Sequence, residues 1–111
     1  MNKFEAKNVA AENGWSGYFA LTNDDYCVDI PTGELIVRLE IGYELSFGNG
    51  SDDEAALVLE HYKPSTAHPP VARRACSFRY MDESSFKDWL ERSAKELIRI
   101  GRERSAEGTL P

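Results

Sequence analysis

The residues of this chain that could do chemistry are mainly carboxylates, and they are concentrated in one block. Between residues 23 and 60 the sequence carries ten acidic residues and only one basic residue, Arg38. The acids of the block are Asp24, Asp25, Asp29, Glu34, Glu40, Glu44, Asp52, Asp53, Glu54 and Glu60. Like charges on one surface repel, so such a block indicates either a basic partner or a solvated outer face with charges that discourage aggregation. The sequence leaves both interpretations open.

The acids that would contact a basic protein partner lie on the predicted hairpin and on the long ribbon that follows it. We expect these contacts to be Asp24, Asp25, Asp29, Glu34, Glu40 and Glu44. A second contact element is expected in the proline-rich segment 63–74, through His68, Arg73 and Arg74. The alternative for the two arginines is internal pairing with the acids of a neighbouring strand.

Catalysis and metal binding have little support in the sequence. The two histidines, His61 and His68, have no further ligand three or four residues on, so no metal site is predicted. Nucleophilic catalysis would need Cys27, Cys76 or a serine beside a histidine. Strand alternation places Cys76 inside with Phe78, where cysteine acts as a small hydrophobe. We therefore expect no cofactor and no enzymatic activity.

Composition limits the remaining classes. A chain of 111 residues with 41% hydrophobic and 29% charged residues is expected to fold as a single domain, residues 1–111, with a loose tail at 105–111. Its net charge of -6 makes nucleic acid and anionic membrane unlikely partners, because both require compensating cations. No run of about 18 apolar residues is present. The start of the chain has no apolar signal segment and the two cysteines are far apart, so a cytoplasmic protein with reduced thiols is expected.

The most regular stretch is the ribbon "GELIVRLEIGYELSFGNG", which begins at Gly33. Every second residue from 35 to 47 is apolar, which predicts a strand with one buried (dry) face and one solvent-facing (wet) face. The residues of the dry face are Leu35, Val37, Leu39, Ile41, Tyr43, Leu45 and Phe47. Fourteen extended residues would span about 46 Å, far more than the ~13 Å radius of gyration of a domain this size. We therefore predict a bend or bulge at Gly42, the residue in the run that tolerates one most easily.

The other segments predict two helices and further strands. The predicted elements are a helix over Asn2–Asn13, strands over Trp15–Leu21, Tyr26–Ile30 and Ala55–Tyr62, a last strand with Cys76, Phe78 and Tyr80 inward, and a C-terminal helix. Two caps compete for the C-terminal helix: Ser85 with Asp88, or Asp82 with Met81 packed on Phe86. Short turns favour antiparallel pairing. The predicted fold is α+β: a largely antiparallel, five-stranded, meander-like sheet with both helices on one face, a two-layer sandwich.

Size and uneven charge together favour a small protein-binding protein. In both respects the chain resembles the small inhibitors of bacteria and phages: immunity proteins that block a toxin, and anti-defence proteins that block a nuclease complex. The resemblance implies that the acids cover a basic site on the partner and steer fast association. The alternative function is a homo-oligomeric assembly module, a homodimer for example. It would use the sheet edge or the outer face, with Ile36 in the interface.

Overall fold

The protein folds as two helices and one sheet. The structure is a computed structural model that describes residues 1–15, 26–30, 33–42, 53–63 and 69–106. Its elements are α1 (Lys3–Glu12), β1 (Cys27–Ile30), β2 (Gly33–Ile41), β3 (Glu54–His61), β4 (Ala72–Ser77) and α2 (Glu83–Ala106). The strands form one antiparallel sheet in the order β1-β2-β3-β4. The predicted α+β class, with an antiparallel meander, is therefore confirmed.

The described sheet has four strands and not the predicted five. Most of the predicted first strand, 16–21, lies outside the described residues. The last strand was predicted too far along the chain, because the Met81 N–H donates to the Phe78 carbonyl (3.0 Å) and closes a turn after β4. This turn ends the alternation, so the prediction that Tyr80 points inward is wrong: its side chain is 90% exposed.

The helix ends follow from local hydrogen bonding. At the start of α1, Asn2 and Glu5 form a reciprocal capping box, with N–H to oxygen distances of 2.9 and 3.1 Å. The helix stops before Gly14, whose φ of 92° is in the left-handed region, as the Asn-Gly ending predicts. At the start of α2, Asp82 is the cap, because its Oδ1 accepts the Ser85 N–H (2.7 Å).

Two other predicted boundaries can be compared with the structure. Strand β2 ends at Ile41, and Gly42 has φ 70°, so the chain leaves the strand at the predicted bend. The predicted continuation of the ribbon, from residue 43, lies outside the described residues. At the C-terminus α2 runs to Ala106, so residues 105 and 106 of the predicted loose tail are helical. The first helix-breaking residue of the tail is Gly108.

The core lies between the helices and one face of the sheet, called the inner face below. Helix α2 contacts all four strands and α1. The fully buried large side chains of this core include Leu35, Leu39, Leu57, Leu59, Phe78, Phe86, Leu90 and Leu97. Gly101 brings α2 close to the strands: a Cβ at this position would lie 3.2 Å from Leu59 Cδ2 and 3.4 Å from Val28 Cγ2. Neither described helix is long and apolar enough to cross a bilayer.

Candidate functional site

The face of the sheet opposite the helices, called the outer face below, carries the charged residues of the predicted ribbon. The β2–β3 register sets Ile36 opposite Glu60, Arg38 opposite Val58 and Glu40 opposite Ala56. Side chains directly opposite in an antiparallel pair point to the same face. The sequence predicts that this face is wet, and that prediction is wrong for its centre. Glu40 is only 1% exposed, and Ile36, Ala56, Val58 and Glu60 are also buried.

Arg38 holds the two buried carboxylates of this face. Its Nε donates to Glu60 Oε1 and its Nη1 donates to Glu40 Oε1. The arginine reaches Glu40 two residues along its own strand and Glu60 diagonally across to β3. Burial alone would lower the pKa of Arg38, but the hydrogen bonds to Glu60 and Glu40 outweigh it and leave the pKa above its ordinary value. We call Arg38, Glu40 and Glu60 the ion cluster.

The ion cluster changes the interpretation of the acidic block. A buried carboxylate costs several kcal/mol unless it is paired, so Arg38 is what allows Glu40 and Glu60 to lie in the interior. One oxygen of each carboxylate, Oε1, accepts a hydrogen bond from the guanidinium, and both side chains are buried. Glu40, predicted as a partner contact, therefore acts in the fold and is not presented on the surface.

A second pair of acids remains accessible at the β1–β2 end of the same face. Asp29 is exposed and Glu34 is half-buried, and the register places them directly opposite each other. Within the described residues neither side chain forms an ion pair. Like charges directly opposite are destabilising, so this pair would gain from a cation supplied by a partner. We call Asp29 and Glu34 the acidic corner.

The predicted second contact element divides between two environments. Arg73 is exposed, on the outer face opposite Val58. Arg74 is paired inside the chain, as the alternative interpretation predicts, but with the helix residue Glu96 and not with a strand acid. Its Nη2 and Nε lie 2.5 and 3.2 Å from Glu96 Oε1. The hydrogen bond and charge of Arg74 lower the pKa of Glu96.

The edge strand β4 is shielded by arginine side chains. Arg74 Nη1 donates to the Arg73 carbonyl at 2.8 Å, and Arg104 Nη1 donates to the Val71 carbonyl at 3.2 Å. Backbone acceptors at a sheet edge would otherwise be available to pair with another chain. These two contacts oppose the use of the first half of β4 as a pairing edge between molecules.

The nucleophiles and histidines do not form a catalytic arrangement among the described residues. Cys27 and Cys76 lie in different edge strands of the described sheet, on opposite faces, and they are not joined by a disulfide. Burial raises the pKa of Cys76 to about 12, which disfavours the nucleophilic thiolate. His61 is buried on the inner face, opposite Leu35. No group of three or more possible metal ligands occurs in the described part of the chain.

Two aromatic side chains, Phe4 and Tyr80, are exposed at positions that the sequence does not mark as surface. Phe4 is 72% exposed, with Lys3 Nζ 5.8 Å from its ring centre. Tyr80 is 90% exposed, with Arg79 Cζ 5.5 Å from its ring centre. The signal was present in the cap: if Asp82 begins the helix, the chain must turn between Phe78 and Asp82, and such a turn is at the surface.

The structure thus brings together only part of the predicted contact set. Asp29 and Glu34 are adjacent, whereas Glu40 is withdrawn into the ion cluster. Arg73 and Arg74 lie in β4, two strands away from β2. The other predicted contacts, Asp24, Asp25, Glu44 and His68, lie outside the described residues. Compared with models of protein families, with curated proteins and with solved structures, the chain shows no significant match.

Proposed function

We propose that this chain is a small acidic binding protein of the inhibitor type, comparable in role to immunity proteins or phage anti-defence proteins. It covers a basic surface of a protein partner with the acidic corner. The observation that carries the proposal is the cross-strand pair of Asp29 and Glu34. It places two carboxylates opposite each other with no cationic side chain paired to either among the described residues.

The ion cluster supports this proposal by contrast. On the same face, Arg38 has already neutralised much of the charge of Glu40 and Glu60. The acidic corner has no such internal cation in the described part of the chain, so its charge is available to a partner. A partner arginine could bind both carboxylates, and charge-assisted hydrogen bonds of this kind are about twice as strong as neutral ones. The contact set proposed here keeps Asp29 and Glu34, adds the predicted Asp24, Asp25 and Glu44, and leaves out Glu40.

Charge reversal at the acidic corner tests the proposal. Tagged wild-type protein and the Asp29→Lys/Glu34→Lys variant are used to capture partners from a native lysate of the source cell. We expect a basic protein to be captured by the wild type and lost with the variant. We also expect capture to weaken steeply as salt is raised, because exposed charges are screened within about 8 Å at physiological ionic strength.

The matched control changes the net charge equally at another exposed place. Asp88 and Glu91 are exposed on α2, so Asp88→Lys/Glu91→Lys carries the same charge change away from the acidic corner. This control should retain capture of the basic protein. Equal capture by the wild type and the acidic-corner variant, or equal loss with both double variants, would show that the acidic corner is not the binding surface.

Two structural observations weigh against the alternative function, a homo-oligomeric assembly module. Ile36, expected in an outer-face interface, is only 7% exposed within the single chain. Arginines bind one carbonyl of the β4 edge, that of Arg73, and the carbonyl of Val71 just before the strand.

A further inference from the structure

The acidic corner continues across the sheet to an exposed aromatic side chain, that of Tyr62. The β2–β3 register pairs Leu35 with His61. The next residue, Tyr62, lies opposite Glu34, and its N–H donates to the Glu34 carbonyl at 2.8 Å. Because His61 is buried on the inner face, the alternation of an extended chain directs the Tyr62 side chain to the outer face. Asp29, Glu34 and Tyr62 therefore form a row across β1, β2 and the end of β3, which we call the corner row.

The backbone pairing sets the spacing within the corner row. Glu34 and Tyr62 are a hydrogen-bonded pair, whose Cα atoms lie about 5.5 Å apart in an antiparallel sheet. A strand residue directs both of its backbone groups to one neighbour, so Glu34 and Asp29 are a non-hydrogen-bonded pair. In such a pair the Cα atoms are about 4.5 Å apart and the side chains are closer together. Glu34 is thus the central member, with a carboxylate on one side and a phenol ring on the other.

All three side chains of the corner row are accessible. Tyr62 is 53% exposed, Asp29 is exposed and Glu34 is half-buried. Within the described residues none of them forms an ion pair, a ring stack or a cation–π contact. Two cations lie near: Arg38 is held by the ion cluster, and the exposed Lys63 forms no ion pair in the described part of the chain. With two carboxylates against the one charge of Lys63, the row is an acidic surface with an aromatic side.

The corner row is supported from below by the buried part of the outer face. Two residues along each strand, Ile36 lies opposite Glu60, and both are buried. The Tyr62 backbone is bonded to β2, and nearly half of its surface is covered by the chain itself. A side chain held in this way loses less conformational freedom on binding, so more of its contact energy contributes to affinity.

A carboxylate pair beside a tyrosine ring is suited to a guanidinium group. A guanidinium is planar and weakly hydrated, so it stacks on an aromatic ring while its in-plane N–H groups donate to carboxylates. The ammonium group of lysine is a compact, strongly hydrated charge, which gains from the carboxylates but less from the ring. The chemistry of the corner row therefore distinguishes between the two basic side chains that a partner can offer.

We propose that the corner row is a receptor for an arginine side chain of the partner, with the guanidinium on the Tyr62 ring and its N–H groups on Glu34 and Asp29. This inference rests on the proposed function, and it specifies the side chain that the basic partner must place at the acidic corner. Tyrosine and arginine are both enriched at the positions that contribute most to the affinity of protein interfaces.

Two capped tripeptides, glycine-arginine-glycine and glycine-lysine-glycine, test the preference without the partner. Each is titrated into purified, isotope-labelled protein, and the backbone amide signals are followed by NMR. The signals of Asp29, Glu34 and Tyr62 should shift, with dissociation constants in the millimolar range because a single exposed side chain is bound. The arginine peptide should bind about threefold more tightly than the lysine peptide, the size of effect expected from a ring contact at an exposed site.

Matched variants assign this preference to the ring. Tyr62→Phe keeps the ring and should keep the preference, whereas Tyr62→Leu keeps an apolar side chain and should bind both peptides equally. Tyr80→Leu removes an exposed tyrosine elsewhere and should behave as the wild type. Asp29→Asn/Glu34→Gln should weaken both peptides several-fold, because both gain from the carboxylates. The thermal unfolding midpoint of each variant shows that it is folded.

The proposal is overturned if the wild type binds both peptides equally, if Tyr62→Leu keeps the preference, or if the shifts fall away from the corner row. Tighter binding of calcium than of the arginine peptide at the same amides would also overturn it, because the acids would then form a cation site that does not need the ring. Failure of the proposed function looks different. If charge reversal of the acidic corner abolishes capture from the lysate and Tyr62→Leu leaves it unchanged, only the arginine receptor is wrong. If charge reversal leaves capture intact, the proposed function is wrong, whatever the peptides show.

Discussion

The inner and outer faces of β2 and β3 are both buried, but by different chemistry. The inner face is mainly hydrocarbon packed under two helices, with Leu39 and Leu57 opposite each other and fully buried. The outer face buries Glu40 and Glu60 around Arg38. On the inner face, stability grows with the apolar area removed from water. On the outer face it depends on every charge keeping its partner, so losing one member harms the other two.

The largest effect is expected from removing the cation of the outer face. Arg38→Ala leaves Glu40 and Glu60 buried without their guanidinium, and it should lower the free energy of unfolding by about 3–5 kcal/mol. Equilibrium unfolding in urea measures the change. The matched control is the triple variant Arg38→Met/Glu40→Leu/Glu60→Leu, which removes all the charges together and should be close to the wild type or more stable. A loss below about 1 kcal/mol for Arg38→Ala would show that the ion cluster does not stabilise the fold.

A single substitution on the inner face should lower the free energy of unfolding by less than the loss of Arg38, because no one side chain of that face is essential to its packing. Leu39→Ala removes buried hydrocarbon and leaves a cavity, so a loss of about 2–5 kcal/mol is expected in the same urea measurement. Leu39→Met preserves most of the volume and should cost less than about 1.5 kcal/mol. The contrast with the outer face would fail if Leu39→Met were as damaging as Leu39→Ala, because the side-chain type would then matter more than the volume it fills.

The two faces also differ in how far the sequence predicts them. Alternation from Leu35 to Ile41 correctly identifies the inner face, and the observed cap of α2, Asp82, is one of the two that the sequence offers. Burial of the outer face could not be read in the same way, because an alternating charged position is compatible with water or with an internal partner. The partner of Glu60 is Arg38, twenty-two residues earlier in the chain. This pairing depends on the register between β2 and β3, and the hydrophobic pattern alone does not specify which charged residues that register brings together.

In the acidic corner, too, strand register decides the environment of each charge, and here it separates acids that are grouped together in the sequence. Sequence reasoning selected Asp29, Glu34 and Glu40 together, since all three belong to one acidic block. Strand register divides them: Asp29 and Glu34 face each other at the end of the sheet, and Glu40 lies next to the cation. Net charge along the chain therefore locates the acidic region, and three-dimensional pairing decides which of its described acids stay accessible.

A third environment for a carboxylate, fully at the surface, should show the smallest effect. Asp82 caps α2, and its hydrogen bond from the Ser85 N–H lowers the pKa of Asp82 below the ordinary value. A lowered pKa in the folded state means that the ionised form stabilises the fold above the ordinary aspartate pKa of about 3.9. That contribution is lost as the pH falls through the pKa of the folded state.

Three proteins compared across pH isolate this contribution. At pH 7 Asp82→Ala should lower the urea midpoint by less than Leu39→Ala, because one exposed cap is lost and no cavity forms. Asp82→Asn keeps a good cap without the charge, so it should lie between Asp82→Ala and the wild type. The difference between the wild type and Asp82→Asn should shrink as the pH falls below about 3.9, and it should vanish below the lowered folded-state pKa of Asp82, where both carry a neutral cap. If their difference stayed constant down to pH 2, the stabilisation would not come from the ionised carboxylate, and Asp82 would differ from Glu40 and Glu60 in needing no charge for its role.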